Sequence, residues 1–133
     1  MINISSVVSE SPVRNSVVYA ASKSAVDSIT RVLAKELGSR NIRVNTIAPG
    51  GVETGGVHRT GMMGSDFQKQ MVAATPLDRF GRPDDVARVA VFLASDDARW
   101  LTGERSPPQA GCTEAAWASN GCSFEARRRR CIP

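Results

Sequence analysis

Near the start of the chain, two short β-branched stretches flank one long amphipathic stretch, and this pattern restricts the fold more than any other feature. "MINISS", residues 1–6, alternates apolar and polar side chains and runs into "VVSESPVRNS", as a strand end followed by a loop. Over 18–38, Ala21, Ala25, Val26, Ile29, Val32, Leu33 and Leu37 recur every three or four positions. That spacing predicts a helix with these residues on its apolar face, ended by Gly38. "IRVNTIAPG", 42–50, is rich in β-branched residues and stops at Pro49-Gly50, as a second strand does on entering a loop. Strand, helix and strand make a βαβ unit, which closes as a right-handed crossover onto a parallel sheet. Ligands usually bind at the edge where such strands release their loops. The loop 51–64 starts at that edge.

Further along, 65–74 predicts a short helix ended by Thr75-Pro76, because proline disfavours helical geometry in the residue before it. Pro83 starts another. Asp84 and Asp85 in its first turn suit the helix dipole, and Val86, Val89, Ala90 and Leu93 share a face over 83–95. Two acids in a first turn are explained by the dipole without a general-acid role. Beyond Glu104 no period is sustained: paired prolines, all three cysteines and the run Arg127 to Arg130 fall together, so 105–133 reads as a divergent, disordered tail. An abrupt composition change of this kind is what a shifted reading frame would produce.

The chain of 133 residues, 41% hydrophobic and 23% charged, has the balance of one globular domain, 1–104, plus that tail. Its net charge of +4 is concentrated in the arginine run, without interleaved aromatics, so a nucleic-acid or anionic-surface binder is the weaker reading. No apolar run approaches the ~20 residues needed to span a bilayer, and a cytoplasmic protein is expected. Cys112, Cys122 and Cys131 match no paired zinc or redox spacing, so no metal site is expected.

The chemistry centres on "YAASK". Tyr19, the only tyrosine, and Lys23 stand four residues apart, one turn along a single helical face. A free phenol, with a pKa of about 10, is mismatched to proton transfer near pH 7 by about 3 units. A neighbouring ammonium favours the phenolate and narrows that gap. Ser5 and Ser6 end the preceding strand at the same sheet edge, where a hydroxyl could donate to a substrate oxygen.

"NISS", then "YAASKSAVDSITRVLAKELGSRNIRVNTIAPGGVET" and "TPLDRFGRPDDVARVAVFLASDDARWLTGE", resembles the C-terminal half of a short-chain dehydrogenase/reductase, most like 3-oxoacyl-(acyl-carrier-protein) reductases and sugar dehydrogenases. The resemblance implies an α/β fold, half of a Rossmann-type doubly wound parallel sheet, and NAD- or NADP-dependent interconversion of an alcohol and a carbonyl compound. It makes Tyr19 the proton donor or acceptor, with a further part in cofactor binding, and Ser6 the hydroxyl that holds the substrate oxygen. Lys23 would lower the tyrosine pKa and bond the ribose of the cofactor. Pro49, Gly50, Val52 and Thr54 match the family's P-G-x-x-x-T loop around the nicotinamide carboxamide and nearby phosphate. In the family 55–75 is a substrate lid, so His58, Met62, Met63 and Phe67 are pocket candidates; His58 carries no catalytic role. The helix after Tyr19 would serve subunit contact, in a homo-oligomer or in a non-catalytic fragment that associates with a full-length relative.

The family's glycine-rich pyrophosphate turn, and its catalytic asparagine on a preceding helix, are not in this sequence. Its last apolar strand and Gly-Gly turn are replaced by "RSPPQAGC". The isolated chain is therefore expected to be poorly active, as a truncated form.

Overall fold

The computed structural model describes residues 1–106. The cysteines, the arginine run and the rest of the expected tail lie outside the described residues. In chain order the elements are β1 (Ile2–Ile4), α1 (Val17–Leu37), β2 (Asn45–Ile47), α2 (Gly55–Arg59), α3 (Asp66–Ala73), α4 (Pro83–Ala94) and β3 (Arg105–Ser106), with 3-10 turns at Val7–Ser9, Gly38–Arg40 and Asp96–Ala98.

The strands form one parallel sheet in the order β1-β2-β3, with Asn3 opposite Thr46 and Thr46 opposite Arg105. Alternation along each strand sends that row to one face and its neighbours to the other. The Asn3–Thr46–Arg105 face meets α1. There Asn3 Nδ2 donates to Thr30 Oγ1 at 2.8 Å, Thr46 Oγ1 donates to the same oxygen at 2.5 Å, and Thr30 Oγ1 donates to Val26 O at 2.9 Å. On the opposite face Ile47 and Ile2 pack with Leu93, Val86, Val89 and Ala90 of α4, and with Ala98 and Leu101. One helix covers each face, as the βαβ pattern requires. Burying a side chain such as Leu93 stabilises by about 1.5–3 kcal/mol.

Two polar residues fix the connections. Arg43 donates to Leu93 O and Ser95 O, satisfying carbonyls at the C-terminal end of α4. Asn45, fully buried in β2, donates to Leu101 O and accepts from the Glu104 amide, which aligns the return into β3.

The structure departs from the sequence reading in three places. In α1 the buried residues are Asp27, Thr30 and Ala34, with Lys23 half-buried, whereas Ala21, Ala25, Ile29 and Val32 are exposed. Val26, Leu33 and Leu37 of the same apolar set are half-buried, so the period straddles the inner and outer sides of α1, and hydrogen bonds through Thr30 and Lys23 help to seat the helix on the sheet. Gly38 does not end the helix with its own flexibility: its φ is −58°, and the left-handed residue is Asn41, φ 58°, after one further 3-10 turn. Arg105 and Ser106, expected at the head of the tail, pair with β2 through Thr46 N to Glu104 O at 2.8 Å and Ala48 N to Ser106 O at 3.0 Å. The boundary drawn at 104 thus falls inside the sheet.

Candidate active site

The C-terminal ends of β1 and β2 and the first turns of α1 converge on one edge. The Ser5 amide donates to Ile47 O at 2.7 Å and the Val7 amide to Pro49 O at 3.1 Å, which ties the Ser6 turn to the Pro49-Gly50 loop. Ser5 Oγ donates to Lys23 O at 3.1 Å, and Lys23 Nζ donates to Ile4 O at 3.0 Å, which ties both to α1. Tyr19 lies on the same face of α1 as Lys23, Thr30 and Ala34, so the threonine network that seats α1 also sets the tyrosine's direction.

Ser6 is buried and extended, φ −159° and ψ 155°, at the N-cap of the Val7–Ser9 turn, where its Oγ accepts from the Val8 amide at 3.3 Å. A hydroxyl that accepts there keeps its own proton to donate elsewhere. Tyr19 is 49% exposed, and its hydroxyl has no hydrogen-bond partner among the described residues. The Lys23 ammonium lies 5.7 Å from the Tyr19 ring centroid, within cation–π range. One of its three donors is used on Ile4 O, which leaves two for a ligand.

The second wall is the loop after β2. Pro49, Gly50 and Val52 are half-buried and Thr54 is exposed. Thr54 caps α2, its Oγ1 accepting from the Val57 amide at 3.3 Å, so its hydroxyl proton is also available. The Phe80-Gly81 segment closes over this loop: Gly81 N donates to Gly51 O at 2.8 Å, and Glu53 N donates to Gly81 O at 2.9 Å. Gly51 is required there, since a Cβ would stand 2.8 Å from Phe80 Cε1. Phe80 itself is buried.

Two outlying features are structural. His58 Nε2, on the exposed short helix α2, sits 3.1 Å from Glu53 Oε1. Asp85 accepts from Arg79 Nη1 and from the Arg82 amide, both at 2.8 Å, as the cap of α4, while Pro83 takes the first helical position. The Arg79 bond, then the Arg82 bond, hold its carboxyl down to about 2. Among the described residues no cluster of three His, Cys, Asp or Glu could hold a metal ion, and no helix is long and apolar enough to cross a membrane.

The sequence reading singled out Ser6, Tyr19, Lys23, Pro49, Gly50, Val52 and Thr54. The fold joins the Ser6 turn, α1 and Pro49 by direct hydrogen bonds, and places Val52 and Thr54 further along the same loop. Sequence reasoning missed Ser9, Glu10, Asp27 and Arg105, which cluster beneath Ser6. The available signal was only the spacing of Asp27, four residues after Lys23 and eight after Tyr19 along the helix.

The residues present suit a nicotinamide nucleotide in part: the free Lys23 donors and the Thr54 hydroxyl are matched to ribose and phosphate oxygens. The chain matches the family model described as enoyl-(acyl carrier protein) reductase over residues 1–113. It is 54% identical over 104 residues to an uncharacterized oxidoreductase of Methylorubrum extorquens, covering 78% of this chain and 42% of that one. It is 42% identical over 104 residues to the 3-oxoacyl-(acyl-carrier-protein) reductase of Thermotoga maritima, covering 78% of this chain and 41% of the relative. A 7α-hydroxysteroid dehydrogenase solved with NADH and 7-oxo glycochenodeoxycholic acid superposes with a TM-score of 0.78 at 35% identity, covering 85% of this chain and 44% of that one. The chain therefore spans less than half the length of the relatives it matches. With a parallel α/β sheet of Rossmann type and a family match over most of its length, the chain belongs to the short-chain dehydrogenase/reductase family.

Proposed function

We propose that this chain carries the acid–base side of a nicotinamide-dependent oxidoreductase site that interconverts a small alcohol and its carbonyl compound, and that it corresponds to the C-terminal part of its longer relatives. The observation that carries the reading is the stitched edge: an open Tyr19 phenol on α1, a Ser6 hydroxyl with a free proton in the turn tied to Pro49, and a Lys23 ammonium bonded to Ile4 O of β1 with two unused donors. Likeness to 3-oxoacyl-(acyl-carrier-protein) reductase supports a ketone substrate.

In the reducing direction the Ser6 hydroxyl donates a hydrogen bond to the carbonyl oxygen and orients it. When bound, reduced NAD or NADP supplies hydride to the carbonyl carbon. Tyr19 gives its proton to the same oxygen, a step that as general-acid catalysis is worth about 10²–10⁴-fold. Lys23 stabilises negative charge at the phenol oxygen and bonds the cofactor ribose, while Gly50, Val52 and Thr54 hold the nicotinamide end, with Pro49 fixing the loop through Val7. The dinucleotide's pyrophosphate needs a glycine-rich turn that this sequence does not contain, so the chain by itself is expected to bind cofactor weakly and to turn over poorly.

The outer face of α1 supports self-association or docking on a longer relative. Val18 is 80% exposed and Ile29 and Val32 are each 52% exposed, a stripe of aliphatic area that a second helix would cover. A cytoplasmic setting fits this reading. Titration with NADH and NADPH, followed by cofactor fluorescence, tests it: binding that weakens in Lys23→Ala and Thr54→Ala supports the assignment. Binding unchanged in both variants would remove these residues from the cofactor site.

A further inference from the structure

Arg105 is only 15% exposed and reaches from β3 under the turn that carries Ser6. Its Nη2 donates to Ser6 O at 3.1 Å and lies 3.2 Å from Ser9 Oγ. Its Nη1 meets Glu10 Oε2 and its Nε meets Asp27 Oδ2, both at 3.1 Å. Ser9 Oγ lies 2.5 Å from Asp27 Oδ2 and 2.9 Å from Ser6 O, yet a hydroxyl has one proton to give. The carboxylate is the stronger acceptor, which leaves Ser6 O to be shared by the guanidinium and the Ser9 amide, each at 3.1 Å. One planar fork thus spans both ends of the Val7–Ser9 turn and the buried acid of α1.

We infer that Arg105 is a positioning residue for Ser6: it locks the Ser6–Ser9 turn so that the Ser6 hydroxyl faces the reacting oxygen. The inference rests on the oxidoreductase reading of Ser6. A purely stabilising role is a poorer account of the cluster, because Asp27 Oδ1 is buried with no partner among the described residues, and a buried ion pair left partly unsatisfied is a weak source of stability. What the fork does hold is the backbone of the residue whose side chain enters the site. Rotation of that turn would re-aim Ser6 Oγ, because among the described residues the Oγ is itself fixed only by the long contact from the Val8 amide.

The test compares the full chain with Arg105→Ala, Arg105→Lys, Ser6→Ala and the double variant Ser6→Ala/Arg105→Ala. Two readouts are taken: amide exchange, and cofactor-dependent reduction of a small ketone. In Arg105→Ala the Ser9 and Glu10 amides should exchange ~10-fold faster or more, with Ser5 and Asn45 in the β1–β2 ladder little changed. Methylguanidinium added to that variant should restore their protection. Turnover should fall towards that of Ser6→Ala with KM altered less than ~3-fold, and the double variant should be no slower than Ser6→Ala alone. Arg105→Lys keeps the charge without the fork and should retain the fold with partial loss of both signals, which keeps the test decisive should Arg105→Ala unfold. Unchanged exchange at Ser9 and Glu10, or losses that multiply in the double variant, would overturn the inference. The parent's own turnover is expected to be low, so a Ser6→Ala rate equal to the parent's would overturn the role given to Ser6, while the exchange data decide separately whether Arg105 holds the turn.

Discussion

Replacing Thr30 by Val tests the hydrogen-bonded seat of α1, from which Tyr19 and Lys23 take their direction. Thr30 Oγ1 is the hub of three bonds, accepting from Asn3 and Thr46 and donating to Val26 O. Thr30 is 2% exposed and Thr46 1%, so the Thr46 hydroxyl has no water to turn to once its acceptor is gone. The half-buried Asn3 amide can recover a solvent partner, and Val26 O still accepts within the helix. Most of the loss therefore comes from one orphaned buried hydroxyl, about 1–3 kcal/mol. At a urea slope of ~1–2 kcal/mol/M for a small chain, the midpoint should fall by roughly 0.5–3 M. The double variant Thr30→Val/Thr46→Val removes the orphan together with its partner and should be more stable than Thr30→Val alone, because replacing both partners by apolar groups of the same shape is nearly neutral. Urea unfolding followed by far-UV circular dichroism measures both. If the single variant unfolds at the parent's midpoint, or the double variant loses the sum of the two single losses, the network does not seat α1.

Asp85 should titrate with a midpoint of about 2, read by carboxyl NMR, and move up towards its ordinary 3.8 in Arg79→Ala. Because its folded value is depressed, the cap of α4 is fully stabilising above about pH 4 and is lost as pH falls through 2, so acid should fray the start of α4 in that window. Gly51→Ala drives a methyl to within 2.8 Å of the buried Phe80 ring and should cost about 1–3 kcal/mol by overpacking, with Phe80→Leu in the same chain recovering part of it; thermal melts of the two variants compare them.

The βαβ unit was legible because its signals are local: β-branched strands, a 3.6-residue period and the Pro49-Gly50 stop all survive in β1, α1 and β2. Pro83 with two acids marked α4 in the same way, and Val86, Val89, Ala90 and Leu93 do face the core. The side on which α1 packs was only partly legible: Val26, Leu33 and Leu37 of the apolar set are half-buried, but hydrophobic periodicity cannot score the polar part of the seat, Thr30, Asp27 and Lys23. Ile29 and Val32 are apolar, but they face outwards. Nor was Arg105: one basic residue at the head of an aperiodic stretch gives no local sign that it will pair with β2 and reach Asp27, 78 positions earlier. For the site, spacing brought out Tyr19 and Lys23, and family resemblance brought out Ser6 and the loop after β2. The closure of Gly81 onto Gly51 depends on tertiary contact between segments 30 residues apart and left no trace in either segment alone.

The central claim is that Tyr19 is the group that exchanges a proton with the substrate oxygen. Tyr19→Phe removes one solvent-facing hydroxyl and leaves the ring beside Lys23. Cofactor-dependent ketone reduction, measured side by side for parent and variant, should show kcat lowered by about 10²–10⁴-fold. The unfolding midpoint should stay close to the parent's. A Tyr19→Phe chain that reduces ketone at the parent's rate would contradict the account.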